Sequence, residues 1–278
     1  MLASCSTGVL APRGAVGAAE NQILFDALAI MLTIVVPTIL ATLAFAWWFR
    51  ASNTRARYTP DWAHSGQIEL VVWFIPLLVI LLLAGVIWTG SHTLDPYRPL
   101  NSKTKPLEVQ VVSLDWKWLF IYPEQGIASV NALVVPANTP VHFTLTSASV
   151  MSAFFVPQLG SMIYTMNGMT DQLNLIADHP GVFAGRSSHY NGDGFSDMHF
   201  TLTAVSNDRF LGWIAAARDG GAILDATAFR TLGRQGTLST PVTYRAVTPT
   251  LFTDIVAQRI RPMAGPRLVT PGTTEPKQ

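Results

Sequence analysis

Two uncharged apolar runs constrain this chain more than any other feature. Twenty-three residues without a charge separate Asp26 from Arg50 (ALAIMLTIVVPTILATLAFAWWF), and twenty-two separate Glu69 from His92 (LVVWFIPLLVILLLAGVIWTGS). At about 1.5 Å per helical residue each reaches roughly 33 to 35 Å, enough to cross a hydrocarbon layer of about 30 Å. A buried core helix is the alternative for either run, but two such runs side by side are rare in soluble proteins. Pro37 and Pro76 interrupt them, which spanning helices tolerate better than soluble ones. Trp47, Trp48 and Trp88 sit near the ends, where interfacial aromatics belong. The sequence therefore predicts a transmembrane helical hairpin over residues 23–92.

Charge orients the hairpin. The connection from Arg50 to Gln67 holds Arg50, Arg55 and Arg57 against Asp61 alone. By the positive-inside rule it is cytoplasmic, which places both termini and the larger part of the chain outside. Charged residues make up 13% of the chain and its net charge is +1. No basic run is long enough to follow a phosphate backbone, which excludes a nucleic-acid partner.

Beyond residue 92 the pattern changes to short β signals separated by turns. Leu107–Val112, Trp116–Tyr122, Ala132–Val135, Val141–Thr146, Gln172–Ile176 and Met198–Val205 read as strands, which indicates a β-sandwich or barrel. Asp208–Arg218 reads as an amphipathic helix closing this extracytoplasmic domain, 93–217, at residue 217. The remainder, 218–278, is an arm and tail rich in Thr, Pro and Arg, with helical periodicity only over Pro249–Ile260.

A single cysteine excludes a disulfide framework and any CxxC site. Leu2-Ala3-Ser4-Cys5 has the form of a bacterial lipobox, so Cys5 is expected to carry lipid, with residues 1–22 as a lipoprotein-like segment. An incidental cysteine in a polar tail is the alternative. Four residues cannot hold a signal peptide, so its charged and apolar regions are expected upstream of this sequence.

Three segments together resemble subunit II of the haem–copper respiratory oxidases. Glu69-Leu70-Val71-Val72-Trp73-Phe74-Ile75-Pro76 is similar to that family's opening of the second helix. Asp115-Trp116-Lys117-Trp118 through Gly126 resembles its aromatic segment in the form of the bo-type quinol oxidases. Phe154-Phe155-Val156-Pro157 through Met169 resembles the stretch leading to the family's copper site. The resemblance implies a membrane-anchored all-β protein: the hairpin, a cupredoxin-like Greek-key β-sandwich and a partly helical C-terminal arm.

Cytochrome c oxidases of this family hold a dinuclear copper centre with a histidine, two cysteines, a glutamate, a second histidine and a methionine. On the resemblance those positions fall here at Ser152, Ser187, Asn191, His189, Phe195 and Met198. Only Met198 keeps its residue type. Serine and amide oxygens are hard neutral donors and cannot bridge a copper pair as thiolates do. No copper centre and no docking of cytochrome c are therefore expected. His142, His189 and His199 fit no metal pattern, and no nucleophile triad or phosphate loop is present.

What the resemblance implies is a subunit II without its own cofactor, in a proton-pumping quinol oxidase that reduces oxygen to water. Haems and copper would reside in subunit I, with further membrane subunits alongside. The complex would sit in the bacterial inner membrane, with the β-domain on the periplasmic side. Glu69 would lie near the entrance of a proton channel, although a carboxylate at a helix start is also favoured by the helix dipole. Trp116 and Trp118 would pack against subunit I. The rival readings are a cytochrome c oxidase subunit and a membrane-anchored extracytoplasmic binding module.

Overall fold

The computed structural model describes residues 8–57 and 59–265. They fall into two compact units, residues 19–95 and residues 8–18 with 96–265.

The first unit is helical, with α1 (Ala15–Trp48) and α2 (Gly66–Thr93); the first turn of α1 belongs to the other unit. α1 begins before the first run and ends at Trp48, and α2 extends beyond the second run at both ends; at helical rise they reach roughly 51 and 42 Å. Their surface is largely apolar and exposed: no residue of α2 is buried, and Leu40, Phe45, Leu81 and Trp88 each expose more than 60% of their surface. Polar side chains are satisfied within the helix, as lipid requires. The hydroxyls of Thr33, Thr38 and Thr42 donate to the carbonyls of Ala29, Ile34 and Thr38. The two helices approach at Gly90, where an added Cβ would lie 2.8 Å from Ile23 Cδ1.

The second unit is a sandwich of twelve strands. In chain order they are β1 (Leu107–Leu114), β2 (Lys117–Tyr122), β3 (Ile127–Val130), β4 (Ala132–Pro136), β5 (Val141–Ser147) and β6 (Ser152–Val156). Then follow β7 (Gly160–Thr165), β8 (Asp171–Leu175), β9 (Gly181–Ser187), β10 (His199–Val205), β11 (Ala222–Leu224) and β12 (Val242–Val247). One sheet has the order β11-β12-β3-β2-β1-β5-β8 and the other β4-β10-β9-β6-β7. Most neighbours are antiparallel; β1 with β5, β4 with β10 and β11 with β12 are parallel.

The side-chain period of two explains the layers. Val109, Val111, Trp118, Phe120 and Phe143 from the larger sheet meet Phe154, Phe183, Phe200 and Leu202 from the smaller in one core. The intervening residues Val112, Leu114, Leu119 and Ile121 point the other way into a second core. There they meet Leu224, Phe229, Leu232, Leu251 and Ile255. A strand buried on both faces reads as a continuous apolar run, and this is why β2 (KWLFIY) shows no polar alternation.

The second core corrects the boundary expected at residue 217. Helix α3 (Asn207–Asp219) forms as expected, but the chain does not leave the sandwich after it. β12 pairs with β3, while α4 (Ala226–Leu232) and α5 (Leu251–Val256) cover the outer face of the larger sheet. The helix expected over Pro249–Ile260 is shorter. Asp225 starts α4 by accepting from the N–H groups of Thr227 and Ala228 at 2.9 and 2.8 Å, a side-chain N-cap.

Candidate functional site

The six positions matched to the family's copper ligands converge on one end of the smaller sheet. Ser152 opens β6 and Ser187 closes β9. Because β6 and β9 run antiparallel with Phe154 opposite Ser187, both serines lie at the same end. His189, Asn191 and Phe195 lie on the connection from β9 to β10, and Met198 immediately precedes β10. A 3₁₀ turn, Phe195–Asp197, returns the chain so that Met198 N–H donates to the carbonyl of Phe195.

Ser152, Ser187, Asn191 and Met198 are buried. Asn191 Nδ2 donates to Ser152 Oγ at 2.8 Å and to Met198 Sδ at 3.0 Å. Ser187 Oγ donates to the carbonyl of His189 at 3.0 Å and accepts from the N–H of Ala153 at 3.4 Å. The side chains that come together are thus already joined to one another. Asn191 Oδ1 is buried and accepts no hydrogen bond. His189 is half-buried with its ring edge against Tyr164, and Phe195 packs edge-on to Tyr190.

This donor set does not fit a thiolate-bridged copper pair. Such a pair needs anionic sulfur and imidazole donors, whereas the amide nitrogen of Asn191 has no lone pair to give and Ser187 presents a neutral hydroxyl. The chain's single cysteine is Cys5, and it lies outside the described residues. Among the described residues no cluster of three His, Cys, Asp or Glu side chains is placed to hold a metal.

Trp116 occupies the two-residue turn between the paired Leu114 and Lys117, with a φ of +64°. Its Nε1 donates to the carbonyl of Asn191 at 3.4 Å, so this turn bounds the polar cluster. Close approach requires glycine at residue 194: an added Cβ would lie 2.2 Å from Trp116 Cδ2. Trp118 is fully buried between Phe154 and Phe200, with ring centroids at 5.6 and 5.7 Å. The structure therefore corrects the expectation that Trp118 packs against a partner subunit. Trp118 has no free surface, and Trp116 keeps only 9%.

Glu69 belongs to the helical unit, in the first turn of α2 behind the N-cap residue Ser65. His64 Nδ1 lies 2.8 Å from Glu69 Oε1. An ionised carboxylate only accepts, so Nδ1 carries the proton in this contact. Sequence reasoning missed His64 because it precedes the helix and carries no motif. It also missed Lys117, which is 4% exposed with its Nζ donating to the carbonyl of Arg234 at 2.6 Å. The available signal was the strand period, which puts Lys117 on the same buried face as Leu119 and Ile121.

Comparison with known proteins places these features in context. Residues 123–205 match the family described as cytochrome C oxidase subunit II, periplasmic domain. The chain is 49% identical over 261 residues to a ubiquinol oxidase subunit 2 of Acetobacter aceti, covering 93% of this chain and 84% of the relative. It is 48% identical over 258 residues to a cytochrome bo(3) ubiquinol oxidase subunit 2 of Pseudomonas aeruginosa, covering 93% and 78%. Among solved structures, the periplasmic domain of a cytochrome oxidase subunit II from Bradyrhizobium japonicum aligns with a TM-score of 0.40 and 25% identity. That alignment covers 42% of this chain and 98% of that one.

Proposed function

The chain belongs to the ubiquinol oxidase subunit 2 family, and from that premise we propose that it serves its complex through position and assembly, without a copper centre of its own. It is a membrane-anchored subunit of an oxidoreductase that oxidises quinol. Haems and copper are assigned to the partner subunit I, where quinol oxidation, reduction of oxygen to water and proton pumping take place. The β-sandwich lies on the periplasmic side of a bacterial inner membrane, the orientation supported by Arg50, Arg55 and Arg57 in the α1–α2 connection. Cys5 carries a lipid anchor, in keeping with that orientation. A donor that dissolves in the membrane needs no copper port on the outer domain.

The observation that carries this reading is the Asn191 amide bonded to Ser152 and Met198. It closes the positions that would otherwise accept electrons from a soluble cytochrome. The test is purification of the native complex from membranes. The chain is expected to co-purify with a haem-bearing multispan subunit and to lack the optical and paramagnetic signature of a dinuclear copper centre. A solitary chain, or that signature, would overturn the reading. Glu69 is assigned to proton uptake, with His64 holding its carboxylate at 2.8 Å. Glu69→Ala is expected to slow oxygen consumption at saturating quinol, and unchanged turnover and pumping would remove the assignment.

A further inference from the structure

The second core, between the larger sheet and the segment carrying α4 and α5, contains an ammonium group that the family reading does not use. Lys117 projects from β2 on the face of Leu119 and Ile121 and is 4% exposed. Its Nζ has three protons, and among the described residues its acceptor is the carbonyl of Arg234. An apolar residue here would complete the core, and a buried ammonium costs several kcal/mol unless it is paired (about that order). Burial indeed pulls the Lys117 ammonium below the usual lysine range, opposed by the charge of Asp115 two residues away.

Lys117 borders a cavity of about 610 Å³, within the span typical of small-molecule sites. Its walls are mainly apolar, with Ile223, Leu232, Leu238 and Val242 on several sides. Ile223, Leu238 and Val242 are themselves partly exposed, so this apolar rim is open to solvent. Tyr244 also lines the cavity, and burial raises its hydroxyl above the ordinary tyrosine range, which keeps it a hydrogen-bond donor. The acid in the wall, Asp225, is engaged in capping α4.

We propose that this cavity binds a monoanionic amphiphile, a carboxylate on an aliphatic tail, with its head on Lys117 and Tyr244 and its tail along Ile223, Leu232 and Val242. Lys117 is the cation in the wall, and the Asp225 carboxylate is met by the Thr227 and Ala228 N–H groups, so the lining compensates one further negative charge and not the two of a phosphate. Two donors suit the two oxygens of a carboxylate. The tail is required by the walls, which would gain nothing from a small hydrophilic anion. This site stands independently of the oxidase reading, since it rests on Lys117, Tyr244 and the apolar lining of this cavity alone.

The experiment titrates the full-length chain, in nanodiscs of zwitterionic lipid, with decanoate and, separately, with decanol and dihexanoylphosphatidylglycerol. Saturable binding of one decanoate per chain is expected, weakened about tenfold or more by Lys117→Met through loss of a charge-assisted hydrogen bond. Decanol is expected to bind at least as poorly to the wild-type chain as decanoate does to that variant. Val242→Trp, which fills the cavity and leaves Lys117 in place, should also abolish binding and serves if Lys117→Met does not fold. Thermal unfolding of each variant checks that it folds. Decanoate binding indifferent to a folded variant, equal binding of decanol, no saturable component, or binding of the phospholipid in preference to decanoate would each overturn the proposal.

Discussion

Replacing Trp118 with alanine separates a core role from an interface role. The side chain is fully buried and packs edge-to-face against Phe154 and Phe200, with interplanar angles of 77° and 62°. Truncating a buried tryptophan costs about 3–5 kcal/mol through lost transfer energy and the cavity left behind. The upper part of that range applies here, because both neighbours sit on different strands and cannot easily collapse into the space. Each aromatic contact adds about 0.5–1.5 kcal/mol beyond its area. The indole Nε1 makes no hydrogen bond, so Trp118→Phe loses volume but no polar contact and should cost only a fraction of the alanine change. The assay is denaturant unfolding of the full-length chain in detergent, read by hydrogen exchange at the amides of β1 and β2. A loss below about 1 kcal/mol in Trp118→Ala, with assembly into the complex impaired instead, would refute the placement of Trp118 in the core.

Other consequences follow from the polar cluster and its surroundings. Asn191→Ala should destabilise the sandwich by about 1–2 kcal/mol, the low part of the range for stranding a buried hydroxyl, because it also removes the unpartnered Oδ1; equilibrium unfolding measures it. Gly194→Ala should cost about 1–3 kcal/mol by driving a Cβ into the Trp116 ring and should shift the fluorescence of that indole. Lys117 has its folded-state pKa depressed, so the unfolded chain binds the proton more readily and stability rises with pH just below the ordinary lysine range. The stability difference between Lys117→Met and the wild-type chain should therefore shift in favour of the wild type across that alkaline window, and a pH-independent difference would contradict it. Asp254 is held below the usual carboxylate range by its hydrogen bond to Arg259 and then to Thr250. That contribution is present at neutral pH and lost as pH falls through the depressed value, so Arg259→Gln should shrink this acid-sensitive step in hydrogen exchange at residues 259 and 260, leaving the smaller part due to Thr250.

The hairpin was legible because length and apolar composition are local properties, and apart from Phe49 both runs lie within helices. Strands with dense β-branched or aromatic residues, such as β1, β2, β5 and β10, were legible for the same reason. The missed strands β6, β7 and β9 carry Ser, Gly and Met, and β9 holds Gly185 where the ring of Phe200 covers it. That glycine is explained by a residue on the neighbouring strand, which a local pattern does not show. β12 and α4 were missed because their apolar residues have meaning only against β3 and the outer face of β2, more than a hundred residues earlier in the chain. At the site, the residue types ruled out bridging thiolates, but only the folded chain shows Asn191 bonded across to Ser152. The aromatic segment misled in one respect: alternation within β2 turns Trp118 inward, whatever surface the segment as a whole presents.

The central claim is that electrons enter this complex from a membrane quinol and not through the outer domain. Oxygen consumption by the natively purified complex, driven in parallel by ubiquinol and by reduced cytochrome c, tests it most directly. Ubiquinol should sustain turnover while reduced cytochrome c gives none above background; oxygen uptake driven by cytochrome c would contradict the account.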